Sequence, residues 1–202
     1  MAAGQHNLRR VAATAALIFA VIAASVVSIV CAYPIFSHTY DEPAHIAAGL
    51  ELLGRGTYTY EQQHPPLARI AVAIGPYLTG ARPHGEAEIF DEGLAVLYGS
   101  GDYLATLSAA RLGVLPFLIA VIAVTAAWAY YDFGAVAAIT SAVVLATTPP
   151  LLAHAGLATT DVPLTAMLII SLFAFRLWLD KPNARRSTII GASTALAITA
   201  KL

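Results

Sequence analysis

The run from Val11 to Tyr33 contains no charged residue, and no other stretch restricts the fold as tightly. About 20 apolar residues suffice for a helix to cross a bilayer. In hydrocarbon every backbone N–H and C=O must be satisfied internally, which leaves only helices and closed barrels. A cleaved signal peptide, the other reading of an apolar N-terminal run, has a core of only about 7–15 residues, so a retained helix is expected over 11–33. Arg9-Arg10 just before it puts the N-terminus in the cytoplasm, because cytoplasmic flanks carry the excess of Lys and Arg. Only 11% of the residues are charged, against about 25% in soluble domains. A net charge of -1 provides no basic patch for phosphates, so no nucleic-acid partner is expected. Cys31 is the single cysteine, which excludes a disulfide framework or thiolate metal site and predicts a small buried hydrophobe.

Further apolar stretches follow at 112–131, 133–152, 163–179 and 187–202. Asp132 and Gly134 mark the joint between the first two, and Arg176 lies close enough to the end of the third to snorkel. Lys181, Arg185 and Arg186 form a basic loop that falls on the cytoplasmic side when spans are counted from Arg9-Arg10. The expected fold is therefore an all-α polytopic membrane protein, a helical bundle of about five transmembrane helices, in a plasma (inner) membrane. The last stretch ends at Ala200-Lys201-Leu202, as in the N-terminal part of a longer protein.

Between the first two spans lies the long polar interval 34–110. It holds Asp41, Glu42, Glu51, Glu61, Glu86, Glu88, Asp91, Glu92 and Asp102, nine of the twelve acids. Such an acid-rich segment belongs on the external face and reads as one long loop carrying interfacial helices. Pro43–Leu53 places Ile46, Leu50 and Leu53 on one helical face, with Gly54 and Gly56 to end it. Leu67–Leu78 is too short to span and is interrupted by Gly75-Pro76, so it reads as interfacial or re-entrant.

Four groups of residues offer chemistry. Asp41, before Glu42-Pro43, is either a helix N-cap or a general base at a low-dielectric surface; it shares a helical face with His45 if the helix extends back to it. Glu42 would tune that base, orient an acceptor or help hold a divalent metal. Pro65 and Pro66 fix an extended bend that aims His64, and Arg69 can pair with a phosphate or with bulk lipid headgroups. Asp161, in Ala158-Thr159-Thr160-Asp161-Val162-Pro163-Leu164, is a cap or a site acid. Lys201 can snorkel or meet a phosphate.

Asp41-Glu42, His64-Pro65-Pro66-Leu67-Ala68-Arg69, the Ala158–Leu164 run and Thr199-Ala200-Lys201 together resemble the membrane-embedded GT-C glycosyltransferases, and within them the protein O-mannosyltransferase-like group often called family 39. That group commonly has Lys at the position of Arg69 and adjacent Thr-Lys where Ala200 intervenes here. The resemblance implies inverting transfer of a sugar from a polyprenyl-phosphate donor to a protein, lipid or glycan acceptor on the external face. Asp41 would be the base, Arg69 the first choice to meet the leaving phosphate, with His64 and Lys201 beside it, and Glu42 and Asp161 would position substrate or a metal. No organic cofactor is implied. Residues 1–202 alone are expected to show no turnover. The rival reading is a non-enzymatic transporter or flippase subunit, which would place its ionisable groups mid-span and pair its broken helices.

Overall fold

The computed structural model describes residues 2–99 and 101–201, and these are all-helical. The helices are α1 (Ala2–Ala32), α2 (Glu42–Arg55), α3 (Leu67–Leu78), α4 (Ile89–Gly99), α5 (Tyr103–Leu112), α6 (Leu115–Phe133), α7 (Ala135–Thr147), α8 (Pro149–Ala155), α9 (Asp161–Asp180) and α10 (Ala184–Lys201). Among the described residues three stretches are long and apolar enough to cross a membrane: Leu8–Ala32, Tyr103–Phe133 and Asp161–Asp180. A fourth is added if α7 and α8, bent by 64° at their joint, count as one span.

Several expectations change. The interval 34–110 carries the two expected helices, as α2 and α3, but α4 and the start of α5 fill more of it, and the second span begins at Tyr103 and so takes Arg111 into itself. The 133–152 stretch is broken, because Pro149 and Pro150 cannot donate backbone hydrogen bonds and Thr148 before them is pushed to extended geometry (φ -75, ψ 111). Of the 187–202 stretch, residues 187–201 are helical as part of α10 and Leu202 lies outside the described residues; α10 is not among the helices long and apolar enough to cross. Cys31 is exposed on α1 rather than buried. Arg176 does not merely snorkel: it pairs with Asp132 at 2.7 Å and Asp180 at 2.5 Å, tying the ends of α6 and α9 together.

The polar half is built on α2. Its buried face carries Ile46, Ala47 and Leu50, and it packs against α3 and α4, while α3 packs on α5. Ile46, Leu50, Val72 and Leu97 join Leu107, Leu118 and Ile122 of the second span in one core. The chain therefore packs α2 to α4 onto the apolar helices as a solid cap, which holds the polar segments in fixed places. Close approach of α2 and α3 depends on Gly49, where a Cβ would lie 2.1 Å from the Arg69 carbonyl oxygen. Overpacking of this kind costs about 1–3 kcal/mol or more. Gly49→Val is expected to lower the midpoint of thermal unfolding in detergent, and an unchanged midpoint would show that this crossing tolerates separation.

Candidate functional site

Asp41 stands at the N-cap position of α2, but its backbone is helical (φ -85, ψ -20) and its side chain makes no capping bond. An N-cap side chain reaches the free N–H groups from an extended backbone, so this conformation removes Asp41 from that role. The carboxylate is exposed, and no hydrogen bond or ion pair is made to it among the described residues. It borders a cavity of about 450 Å³, whose wall also includes His45, Glu61, His64, Arg69, Asp161 and Lys201. Five of the six expected site residues thus meet at one place. Glu42 is the exception.

Arg69 is fully buried. Its Nε donates to His45 Nδ1 at 3.3 Å, and its Nη1 to the Tyr58 hydroxyl at 3.1 Å and the Glu61 carbonyl at 3.3 Å. Its Nη2 pairs with the Glu61 carboxylate, whose other oxygen takes His64 Nδ1. Tyr58 in turn donates to the His64 carbonyl at 2.6 Å. The Pro65-Pro66 entry to α3 is thereby pinned. Contrary to the expectation from its sequence, it is not extended throughout, because Pro66 already takes helical angles (φ -83, ψ -14) as the N-cap of α3. Arg69 is a fixed positive charge in the wall of the cavity, with most of its donors already used. Burial, with Arg69 beside it, pushes the His45 imidazole down to about 4, so it stays neutral at pH 7. Burial pushes the Glu61 carboxyl up, but Arg69 and His64 outweigh it and hold the group below the usual carboxylate range.

Across the cavity Asp161 is the first residue of α9, with Thr160 in the cap position and no capping side chain. Its carboxylate pairs with Lys201 and lies 3.2 Å from His154 Nδ1. A negative group also suits the positive end of α9's dipole. Lys201, half-buried, is the more accessible of the two cations lining the cavity.

Glu42 faces the other way and is wholly buried. Arg111 Nε donates to Glu42 Oε1 at 2.8 Å and Arg111 Nη2 to Oε2 at 3.0 Å. The backbone N–H groups of Ala158 and Thr39 donate to the same carboxylate at 2.8 and 2.7 Å. Arg111 also donates to the carbonyls of Phe36 and Ser37, each at 2.9 Å. This clasp fixes both the turn before Asp41 and the turn before Asp161, so Glu42 shapes the cavity without entering it and is not free to hold a metal. Among the described residues no three His, Cys, Asp or Glu side chains converge as a metal site would require.

Glu61, His45 and Arg111 are site-building residues that sequence reasoning passed over or left without a role. Glu61 carries a faint signal, lying three residues before His64. Glu51 and Glu92, buried like Glu42, also turn inward: Glu51 accepts from Thr57 and Thr59, and Glu92 from the N–H groups of His84, Gly85 and Glu86. Much of the acidity of this segment therefore tethers its own loops. No family model, no curated protein and no solved structure matches the chain.

Proposed function

We propose that this cavity transfers a sugar from polyprenyl phosphate to an acceptor hydroxyl, in the manner of a GT-C glycosyltransferase. The observation that carries this reading is the convergence on one cavity of motifs from three parts of the chain: Asp41, His64 with Arg69, and Asp161 with Lys201. Of the carboxylates that line it, Asp41 is the one without an ion-pair partner among the described residues, since Glu61 and Asp161 are both paired. In the reaction the acceptor oxygen attacks the anomeric carbon and its proton passes to Asp41. The bond from that carbon to the phosphate oxygen breaks with inversion, and polyprenyl phosphate leaves with the electron pair. Cations placed in advance near the leaving oxygen stabilise it more than water would. Lys201 meets the phosphate by exchanging it for Asp161, while the buried Arg69 acts through its fixed charge. The cavity faces the external side, α10 completes a fifth span beside the four candidates, and the isoprenoid tail runs between the helices.

A transporter would pair its broken helices, whereas among the described residues one bent pair, α7 with α8, passes as a broken span. The test is transfer of labelled sugar from a polyprenyl-phosphate donor by membranes carrying the full-length chain, against membranes lacking it. Transfer to a protein, lipid or glycan acceptor is the expected result. No transfer from any such donor would move the transporter reading ahead.

A further inference from the structure

The Arg69–Glu61 pair does more than join two charges, because each partner also touches an imidazole. A guanidinium can only donate hydrogen bonds, and an ionised carboxylate can only accept them. Arg69 Nε–H points at His45 Nδ1, so that nitrogen carries no proton and the neutral ring must bear its hydrogen on Nε2. Glu61 faces His64 Nδ1, so that nitrogen carries the proton, and in the neutral ring Nε2 is a bare acceptor. The two rings are thus fixed in opposite tautomers by a single ion pair. Both rings line the cavity, and Nε2 of neither has a hydrogen-bond partner among the described residues. Among the described residues the buried side-chain polar atoms without a partner are the Tyr33 and Thr159 hydroxyls, and neither Nε2 is one of them.

We infer that His45 Nε2–H and His64 Nε2 form a matched donor and acceptor that hold hydroxyl groups of the bound sugar, and that Glu61 is the positioning residue that sets their polarity. A ring carrying several hydroxyls suits such a pair, since each hydroxyl can accept from one imidazole and donate to the other. A phosphate does not, because its oxygens offer nothing to a bare nitrogen. The sugar assignment rests on the proposed transferase function; the tautomers rest on geometry alone.

Nitrogen NMR of the full-length chain labelled at histidine reads the tautomers at pH 7.5. The expected spectrum shows His45 protonated on Nε2 and His64 protonated on Nδ1 only. Glu61→Gln should invert His64. The Gln carbonyl must face the donor-only Arg69, which turns its NH2 toward Nδ1 and drives the His64 proton to Nε2; a carboxylate-to-amide change beside a catalytic imidazole acts in this way. The donor KM should then rise about tenfold or more, as when a site built to bind a hydroxyl is left unmatched. His64→Gln, which leaves the Arg69–Glu61 pair in place, should raise KM similarly. The double variant should be no worse than either single one, because both remove one interaction.

A wild-type His64 protonated on Nε2 would overturn the inference whatever the enzyme does. An inverted His64 with an unchanged KM would remove its link to the sugar, as would additive losses in the double variant. If wild type transfers no sugar while the tautomers are as stated, it is the transferase reading that falls, and with it the sugar assignment.

Discussion

Asp41→Asn is expected to cut sugar transfer about 10²–10⁴-fold, the usual contribution of a general base, while leaving the protein as stable as wild type. The two halves of this expectation have separate sources. The carboxylate is exposed and makes no capping bond, so removing its charge disturbs nothing that holds α2, and surface substitutions of that kind stay within about 0.5 kcal/mol. Asn matches Asp in shape and is itself a good N-cap, so a loss of activity cannot be assigned to a frayed helix. What Asn lacks is a site for the hydroxyl proton. Transfer rates at matched expression, read beside thermal unfolding in detergent, check both halves. Transfer by Asp41→Asn at the wild-type rate would remove Asp41 from the chemistry.

The opposite pattern is expected at Arg111, which does not line the candidate cavity. Arg111→Met leaves the wholly buried Glu42 carboxylate without its countercharge, and breaking a buried pair from one side costs about 3–5 kcal/mol. Burial by itself pushes the Glu42 carboxyl up. In the intact protein the hydrogen bonds from Arg111, Ala158 and Thr39 outweigh it and hold the group below the usual carboxylate range. Once Arg111 is gone, only the backbone donors and Thr39 remain. The expected result is poor recovery of folded protein and a large drop in the unfolding midpoint. Pairing Arg111→Met with Glu42→Gln should recover part of the loss, since no charge is then buried alone. A single variant that unfolds at the wild-type temperature would mean that the clasp is not what holds the two turns.

Much of this architecture is legible in the residues. The charge-free run from Val11, the helical face of Ile46 and Leu50 and the length of α3 all appear as read, because they depend on local periodicity and on the cost of exposing backbone in lipid. The break at Thr148 was also signalled locally, by Pro149-Pro150, but hydropathy alone joined the two halves. How fully the long interval packs is less legible, for a physical reason. Acids look solvent-facing by type, yet Glu42, Glu51 and Glu92 are spent on backbone N–H groups and on Arg111, and no local pattern reveals a partner 69 residues away. The same holds for the site. Asp41, His64 and Arg69 stood out by their motifs, whereas Glu61 shows its role only once the fold turns Arg69 and His64 toward its two oxygens.

The clasp also sets a timetable. Glu42 leaves the ribosome 69 residues before Arg111 and 116 residues before Ala158. At about 5–20 residues per second of synthesis, the carboxylate waits roughly 3–14 s for its cation and roughly 6–23 s for its last donor. During that wait the turn before Asp41 has only its own Thr39 to hold the carboxylate, and the cavity does not exist. A nascent chain stalled before Arg111 would carry this acid without its countercharge.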